Sequence, residues 1–518
     1  MRSTILFSLN GRAVELGADR AGMMLAEYLR EQQRLVGTKV VCDEGDCGAC
    51  TVLKAAPYHA SRSKRVPRFL PVNSCIISVA QLDGSSIVTV EALRSGAPPT
   101  DAPVGAGSTD ALTPVQRAMV HCHASQCGFC TPGFVMALTG LVEKKLRTAP
   151  GYPRVISAKD AKNATTGNLC RCTGYQPIID AAVAIPLDQC QSVEQSLESA
   201  PVRRRLALAI QQPVLLDGPD FRFFAPTKLA QLGAFLEKHP SARILAGATD
   251  LGVVHNKRKQ RLIAAVSLHL IPELHVLDER VHKGTRRLRV GARVTLSEVR
   301  DAVKQSVPEL ASFLDLFASP QIKNQGTLVG NLANASPIGD TSPFLLIAGT
   351  TVEVYSPIRA PRQAARRSIP IEQFFLGYRV TALAAGEVIT AVEFDLPSAR
   401  DVVRLQKVSQ RTDLDISTVC AAIRATPSRA GRARLGRTVT GVRIAFGGVA
   451  ATPLRFPKTE HALEGRLIAH ALDPELLEIF QSEMTPMGDL RGSSAFRRVA
   501  AENLLRKYFR ELALEDRP

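Results

Sequence analysis

Apolar and polar positions alternate at the start of the chain. Ile5, Phe7 and Leu9 point one way, and after Asn10–Gly11 the alternation resumes with Val14 and Leu16. A period of two broken by an Asn-Gly pair predicts two antiparallel strands joined by a tight turn. Met23–Arg30 reads as a short amphipathic helix, and Ile87–Val90 as a closing strand. Residues 1–95 therefore predict a small α+β domain. Residues 96–112 are rich in Pro, Gly, Ala and Ser and predict a linker. Gly105 and Gly107 sit there in a G-x-G arrangement, but no apolar strand precedes them, so no dinucleotide fingerprint is read. Residues 113–185 predict helices: Thr113 caps and Pro114 opens the first, Pro132 opens another, and Pro177 a third. Residues 186–220 are polar and charged with little periodicity, and predict an interdomain linker. Strand and helix patterns alternate through 221–398. A last α+β region, 399–518, ends in a charged helix near 495–513.

The length of 518 residues fits three or four domains, and a 45% apolar composition supplies several cores. No apolar run reaches the roughly 18 residues a bilayer span needs. The opening MRSTILFSLNGR is too short in its apolar part for an export signal. A reducing cytoplasm is then the expected compartment, where thiols stay free for metal. The net charge of +17 raises the question of nucleic acid. The basic residues, however, fall in scattered clusters: Arg203, Arg204 and Arg205; Arg362, Arg366 and Arg367; Arg429, Arg432, Arg434 and Arg437. Aromatics make up 5% and Trp is absent, so stacking platforms are poorly supplied. The clusters are expected in solvated loops or on a partner-facing surface, with no nucleic-acid or membrane role.

Eight of the eleven cysteines change the picture most. Cys42, Cys47 and Cys50 form C-x4-C-x2-C, with Cys75 farther on; Cys127 and Cys130 form C-x2-C, followed by Cys170 and Cys172. The first spacing is the plant-type ferredoxin pattern, and four thiolates per group is the ligand set of a [2Fe–2S] cluster. Structural zinc usually takes paired C-x2-C hooks, which the first group does not offer. A disulfide framework belongs to small secreted chains. Gly45 and Gly48 let backbone amides approach the first group. Cysteines of the second group lie just before helix starts, whose positive ends suit an anionic cluster. Such clusters carry single electrons, so an electron relay is expected. Cys122, Cys190 and Cys420 are left over and are expected as small buried hydrophobes.

Two further stretches concern phosphate. Arg243–Ala246 reads as a buried strand running into the turn Gly247–Asp250, a form that presents amide donors to a pyrophosphate. Asn324–Asn331 and Ala335–Asp340 are dense in Gly, Asn, Ser and Asp between apolar runs. Composition alone leaves dinucleotide loops and plain surface loops equally open.

The runs Cys42–Cys50, Gln126–Gly133 and Leu169–Tyr175 resemble the xanthine dehydrogenase family, in the same order along the chain. So do Gly247–Asp250, Asn324–Asp340, Phe374–Arg379 and Lys407–Arg411. The likeness is to the bacterial iron–sulfur and FAD chain of the molybdenum hydroxylases, because the sequence stops where the large molybdopterin domain would begin. It implies a multidomain α+β protein. The order would be a ferredoxin-like β-grasp [2Fe–2S] domain (1–95), a helical-bundle [2Fe–2S] domain (113–185), a linker (186–220), a two-part α+β FAD-binding domain (221–398) and a C-terminal α+β domain (399–518).

The resemblance implies that Cys42, Cys47, Cys50 and Cys75 hold the cluster nearer the flavin. It places Cys127, Cys130, Cys170 and Cys172 on the cluster nearer molybdenum, with Gln126 touching the pterin. Ile244, Leu245, Ala246, Gly247, Ala248, Thr249, Asp250 and Leu251 would hold the FAD pyrophosphate. Phe317, Thr327, Leu328, Val329, Gly330, Asn331, Asp340, Ile389 and Lys407 would make further FAD contacts. Phe374–Arg379 would sit where nicotinamide docks, with Arg411, Asp413 and Asp415 near the flavin. Val329 departs from the family, which has a glycine there; a positive φ would strain a β-branched residue. The implied function is electron transfer from a partner's molybdenum to NAD during oxidation of hypoxanthine and xanthine, in a dimer of heterodimers whose substrate site lies on the partner. The same relay serving an aldehyde or N-heterocycle hydroxylase, and a non-enzymatic iron–sulfur binding protein, are the competing readings.

Overall fold

The computed structural model describes residues 1–57, 69–93, 112–147, 155–260, 262–356, 365–428 and 436–514. The chain forms two compact units. One comprises Met1–Pro272 with Ser319–Gly326, the other Glu273–Ala318 with Thr327–Pro518. Both sheets and helices are present, as a multidomain α+β protein requires.

In the first unit, strands Ile5–Leu9 and Arg12–Leu16 pair in the register the alternation predicts, Ile5 opposite Leu16 and Leu9 opposite Arg12. Asn10 and Gly11 both take positive φ, 51° and 81°, as the two-residue turn requires. The full sheet runs Arg12–Leu16, Ile5–Leu9, Ser86–Val88, Thr51–Ala55, Leu70–Asn73. The expected helix begins at Leu25 and widens into a π turn over Tyr28–Gln32. Leu25, Tyr28 and Leu29 are buried with Ile5, Phe7 and Ile87 in one core.

The helical region contains Pro114–His121, Thr131–Leu146, Ala158–Thr165 and Gln176–Val183. Thr113 caps the first and forms a reciprocal capping box with Gln116. Thr131–Leu146 is buried along most of its length, which explains its lack of a polar face. Ser157 and Asp160 form a second capping box, and Lys145 donates to Asp160 Oδ2 at 2.8 Å. Burial works to raise the Asp160 pKa, but the hydrogen bonds from Lys145 and Ser157 hold it down to about 2. The unfolded value is about 3.9. The stabilisation is therefore complete above about pH 4 and is lost as pH falls through the folded value. Ser157→Ala should cost about 1 kcal/mol at neutral pH. The difference between wild type and Asp160→Asn should vanish on acidification, as read by hydrogen exchange in Ala158–Thr165.

Residues 186–220, expected as a linker, hold helices Val193–Leu197 and Ala200–Ala209 and strand Val214–Asp217. Leu206 and Ala209 pack with Leu6, while the run Arg203–Arg205 hides this short apolar face in the sequence. Arg203 pairs with the buried Glu194 at 3.3 Å. Strand Val214–Asp217 is the edge of a four-stranded sheet that continues through Arg222–Ala225, Ala264–Ser267 and Arg243–Leu245. Its last three strands are parallel, and Arg243–Leu245 leads into helix Thr249–Arg258.

The second unit holds a five-stranded sheet ordered Leu277–His282, Thr285–Gly291, Val388–Asp395, Thr351–Tyr355, Arg366–Pro370. A four-stranded sheet, Val402–Val408 to Leu454–Arg455, carries the terminal helix Ser494–Leu514. Ala501, Leu505, Tyr508 and Phe509 of that helix pack with Val419, Ile423 and Phe446. Residues 96–111 with Gly105 and Gly107, and Arg362, Arg429, Arg432 and Arg434, lie outside the described residues. Among the described residues no helix is long and apolar enough to cross a membrane.

Candidate redox centre

The loop from Cys42 to Cys50 turns on Gly45 and Gly48, at φ 79° and 67°. It brings the Cys47 backbone amide to 3.3 Å from Cys42 Sγ. Cys75, on the short turn Ser74–Ile76, places its sulfur 3.3 Å from Cys50 Sγ. Asn73 Nδ2 also donates to Cys50 Sγ at 3.7 Å. Cys50 and Cys75 are buried, while Cys42 and Cys47 are half-buried. The hydrogen bond from Cys47 draws the Cys42 thiol down to about 5, and the bond to Cys42 raises Cys47 in turn. Cys75 likewise lowers Cys50 and is itself raised, by that bond first and burial second. Two adjacent thiolates repel, which sets the two shifts of each pair in opposite directions. A cationic centre removes that restriction, since a coordinating thiol is deprotonated outright.

Among the described residues no group of three or more His, Cys, Asp or Glu side chains is arranged to hold a single metal ion. The first group gathers its sulfurs in twos, Cys42 with Cys47 and Cys50 with Cys75. Four cysteines and no other donor is the set a [2Fe–2S] cluster takes, so the residues fit that group.

In the second group, Cys172 Sγ lies 3.6 Å from Cys127 Sγ and 3.8 Å from Cys170 Sγ. Cys130 is the N-cap of Thr131–Leu146, and Gln176–Val183 begins just after Cys172. Burial first, and the bond to Cys170 second, push Cys130 up to about 12. Burial also raises Cys170, but hydrogen bonds from Thr173 and the backbone hold it at about 7. Cys127 and Gln126 are exposed. Tyr175 takes φ 69° and its hydroxyl accepts from the Cys170 amide at 3.0 Å.

A buried polar knot joins the two groups. The Leu169 amide donates to the Cys47 carbonyl at 3.0 Å, one residue before Cys170. Asn168 Nδ2 donates to the Gly48 carbonyl at 3.0 Å, and Gln321 Nε2 to Asn168 Oδ1 at 2.8 Å. Gln321 also reaches Thr51 Oγ1 at 3.2 Å. A Cβ on Gly48 would stand 2.2 Å from the Gly167 carbonyl oxygen, and one on Gly133 2.5 Å from the Gly48 carbonyl oxygen. Sequence reasoning missed Asn168, Gln321 and Thr51. Nothing in their local pattern marks them, because their partners come from distant segments.

In the same unit, Gly247 follows strand Arg243–Leu245 and Ala248 takes φ 57° before helix Thr249–Arg258. No side chain caps that helix, so its first amides are free of a side-chain cap. Leu245 and Gly247 are buried, Asp250 is exposed, and Ile244, Ala246, Ala248, Thr249 and Leu251 lie between. A Cβ on Gly247 would meet the Gln325 carbonyl oxygen at 2.2 Å, and Gln325 Nε2 donates back to the Gly247 carbonyl at 3.0 Å.

The second unit holds the other expected flavin contacts. Thr327 Oγ1 caps helix Leu328–Ala333 by accepting from the Gly330 amide at 2.9 Å. Val329 lies inside that helix and is not among the residues with positive φ, so no strain arises there. Its β-branched side chain is instead buried core. Asn331 Oδ1 accepts from Thr341 at 2.6 Å. Asp340 and Lys407 form a buried ion pair at 2.8 Å, with side chains 5% and 4% exposed. Ser417 donates to the other Asp340 oxygen, and Lys407 also donates to the Asp415 carbonyl at 2.6 Å. Ile389 is buried in Val388–Asp395, and Phe317 is half-buried after Pro308–Leu316. Phe374 is fully buried, whereas Leu376 and Tyr378 stand exposed on the hairpin Phe375–Gly377/Val380–Thr381. Cys420 is buried as expected, while Cys122 and Cys190 are only partly so and pack against the helical core.

Four family models cover most of the chain. Residues 7–80 match the 2Fe-2S iron-sulfur cluster binding domain, and 103–183 the [2Fe-2S] binding domain. Residues 219–397 match the FAD binding domain in molybdopterin dehydrogenase, and 404–512 the CO dehydrogenase flavoprotein C-terminal domain. The xanthine dehydrogenase of Drosophila pseudoobscura pseudoobscura is 30% identical over 560 residues, which span 98% of this chain and 39% of that protein. Xanthine dehydrogenase 1 of Arabidopsis thaliana is 27% identical over 568 residues, 97% of this chain and 39% of that protein. The chain thus spans under half the length of these curated relatives. Among solved structures, a chain of quinoline 2-oxidoreductase from Pseudomonas putida 86 is 25% identical with a TM-score of 0.49, covering 58% of this chain and 99% of that one.

Proposed function

We propose that this chain, which belongs to the molybdenum hydroxylases as their iron–sulfur and flavin part, relays electrons from a partner molybdopterin chain to NAD during oxidation of hypoxanthine and xanthine to urate. Each step would insert one oxygen from water, with two electrons and a proton leaving as NADH and a second proton released. When bound, [2Fe–2S] clusters carry single electrons, and FAD gathers two of them for transfer as one hydride. The observation that carries the reading is the gathering of eight cysteine sulfurs into two groups, linked through the Cys47 carbonyl and the Leu169 amide.

In this reading Cys42, Cys47, Cys50 and Cys75 hold one cluster, and Cys127, Cys130, Cys170 and Cys172 the other. The exposed Cys127 and Gln126 face the partner's pterin. The uncapped start of Thr249–Arg258 holds the FAD pyrophosphate with its amides, aided by Ile244–Leu251. Phe317, Thr327–Asn331, Asp340, Ile389 and Lys407 supply the remaining FAD contacts. The exposed Tyr378 hairpin receives nicotinamide. The complex is a cytoplasmic dimer of heterodimers, in a compartment that keeps thiols free for iron.

The test is purification from the host with bound partners. Iron and sulfide in two-cluster stoichiometry, with FAD and molybdenum, are expected, together with NADH formation from hypoxanthine and xanthine. NADH formed from an aldehyde or quinoline but not from either purine would move the substrate and keep the relay. Zinc in place of iron, with no flavin, would remove the relay as well.

A further inference from the structure

Helix Thr249–Arg258 does more than follow the Gly247 turn. Gly252 and Asn256 stand one helical turn apart and so share one face. A Cβ on Gly252 would lie 2.3 Å from the Ile76 carbonyl oxygen, so the helix backbone rests directly on the Cys75 turn. Asn256, 9% exposed, aims its amide at the same place. Its Nδ2 donates to the Cys75 carbonyl at 2.8 Å, the Asp43 carbonyl at 3.0 Å and Asp43 Oδ1 at 3.1 Å. Asp43 adjoins Cys42 and holds φ 57°, a conformation a non-glycine residue keeps only when its surroundings enforce it. One side chain thereby ties two segments that carry ligands of the first sulfur group to the helix that begins at the pyrophosphate turn.

We propose that Asn256 is a positioning residue for the first cluster, fixing the Cys42 loop and the Cys75 turn against the flavin-binding helix and tuning the cluster's potential. This inference rests on the iron–sulfur and flavin reading above. The amide's positive end points at the ligand backbone, where it favours the reduced, more negative cluster. Partners of this outer kind typically contribute 10- to 100-fold in activity or metal affinity.

The experiment uses the full chain purified with its bound partners. Asn256→Leu removes both donor hydrogens at similar volume, and Asn256→Ser keeps one donor on a shorter arm. EPR-monitored redox titration reads the two clusters separately, and stopped-flow mixing with NADH reads electron entry. In Asn256→Leu the first cluster should move to lower potential with altered g-anisotropy, the second should stay unchanged, and NADH-driven reduction of the first should slow by roughly 10- to 100-fold. Asn256→Ser should fall between the two. Loss of iron from the first site alone also supports the role. Wild-type potential and spectrum of the first cluster in both variants, at full iron and flavin content, would overturn it. Should Asn256→Leu fail to fold, an unchanged first cluster in Asn256→Ser suffices to do so. A wild-type preparation without clusters or flavin would instead overturn the parent reading.

Discussion

Under the proposed relay, Cys127→Ser is expected to abolish reduction of the flavin by purine while leaving its reduction by NADH intact. Cys127 is exposed and supplies one sulfur of the second group, 3.6 Å from Cys172. Its replacement would remove a proposed cluster ligand without opening a hole in a core. The first group lies against helix Thr249–Arg258 through Gly252 and Asn256, the helix proposed to bind the FAD pyrophosphate, so in the proposed order it is the cluster next to the flavin. In that order electrons entering from NADH would meet an unaltered path to the flavin, whereas those from the proposed partner would meet a broken one. Anaerobic stopped-flow bleaching of the flavin by each reductant measures both arms. Purine bleaching at the wild-type rate would show that the order of carriers is wrong.

The second large effect concerns the pair Asp340 and Lys407. Both side chains are almost wholly buried, and the carboxylate is satisfied by Lys407 on one oxygen and Ser417 on the other. Lys407→Met leaves that carboxylate without its cation, which costs about 3–5 kcal/mol in comparable buried pairs. A combined Lys407→Met and Asp340→Leu change should recover most of the loss, since buried pairs replaced by apolar groups are often neutral. A global unfolding midpoint is ill-defined for a multidomain chain. Hydrogen exchange in strands Val402–Val408 and Val419–Pro427 gives a local reading. Protection there should fall by roughly two to four powers of ten in the single variant. Unchanged protection would mean that the pair contributes nothing to stability.

Much of this architecture is written in local pattern. The alternation Ile5, Phe7, Leu9 around Asn10–Gly11 predicts the first hairpin in register, because a single residue's slip would turn Phe7 out of the core. Thr113, Pro114, Pro132 and Pro177 mark three helix starts to within a residue or two, because capping is a local interaction. The cysteine spacings locate both sulfur groups. Helix Ala200–Ala209 has no clear sequence signature because only Leu206 and Ala209 are buried, with Val202 partly so, and the arginines 203–205 interrupt that short face. Val329 shows the opposite limit. Its departure from a family glycine reads as strain until the helix around it supplies an ordinary backbone. Asn168, Gln321 and Asn256 carry no local signal at all, since their hydrogen-bond partners lie more than a hundred residues away.

The knot of Thr51, Asn168 and Gln321 bears on how this protein can be recombined. Each residue comes from a different family-model segment, yet they hydrogen-bond to one another beside Gly48. A chimera that grafts a foreign ferredoxin-like segment onto this scaffold would have to import matching partners for all three, and a glycine wherever backbone meets backbone. Transplanting a single segment would leave a buried amide or carbonyl without its partner, so these pieces have to be exchanged together.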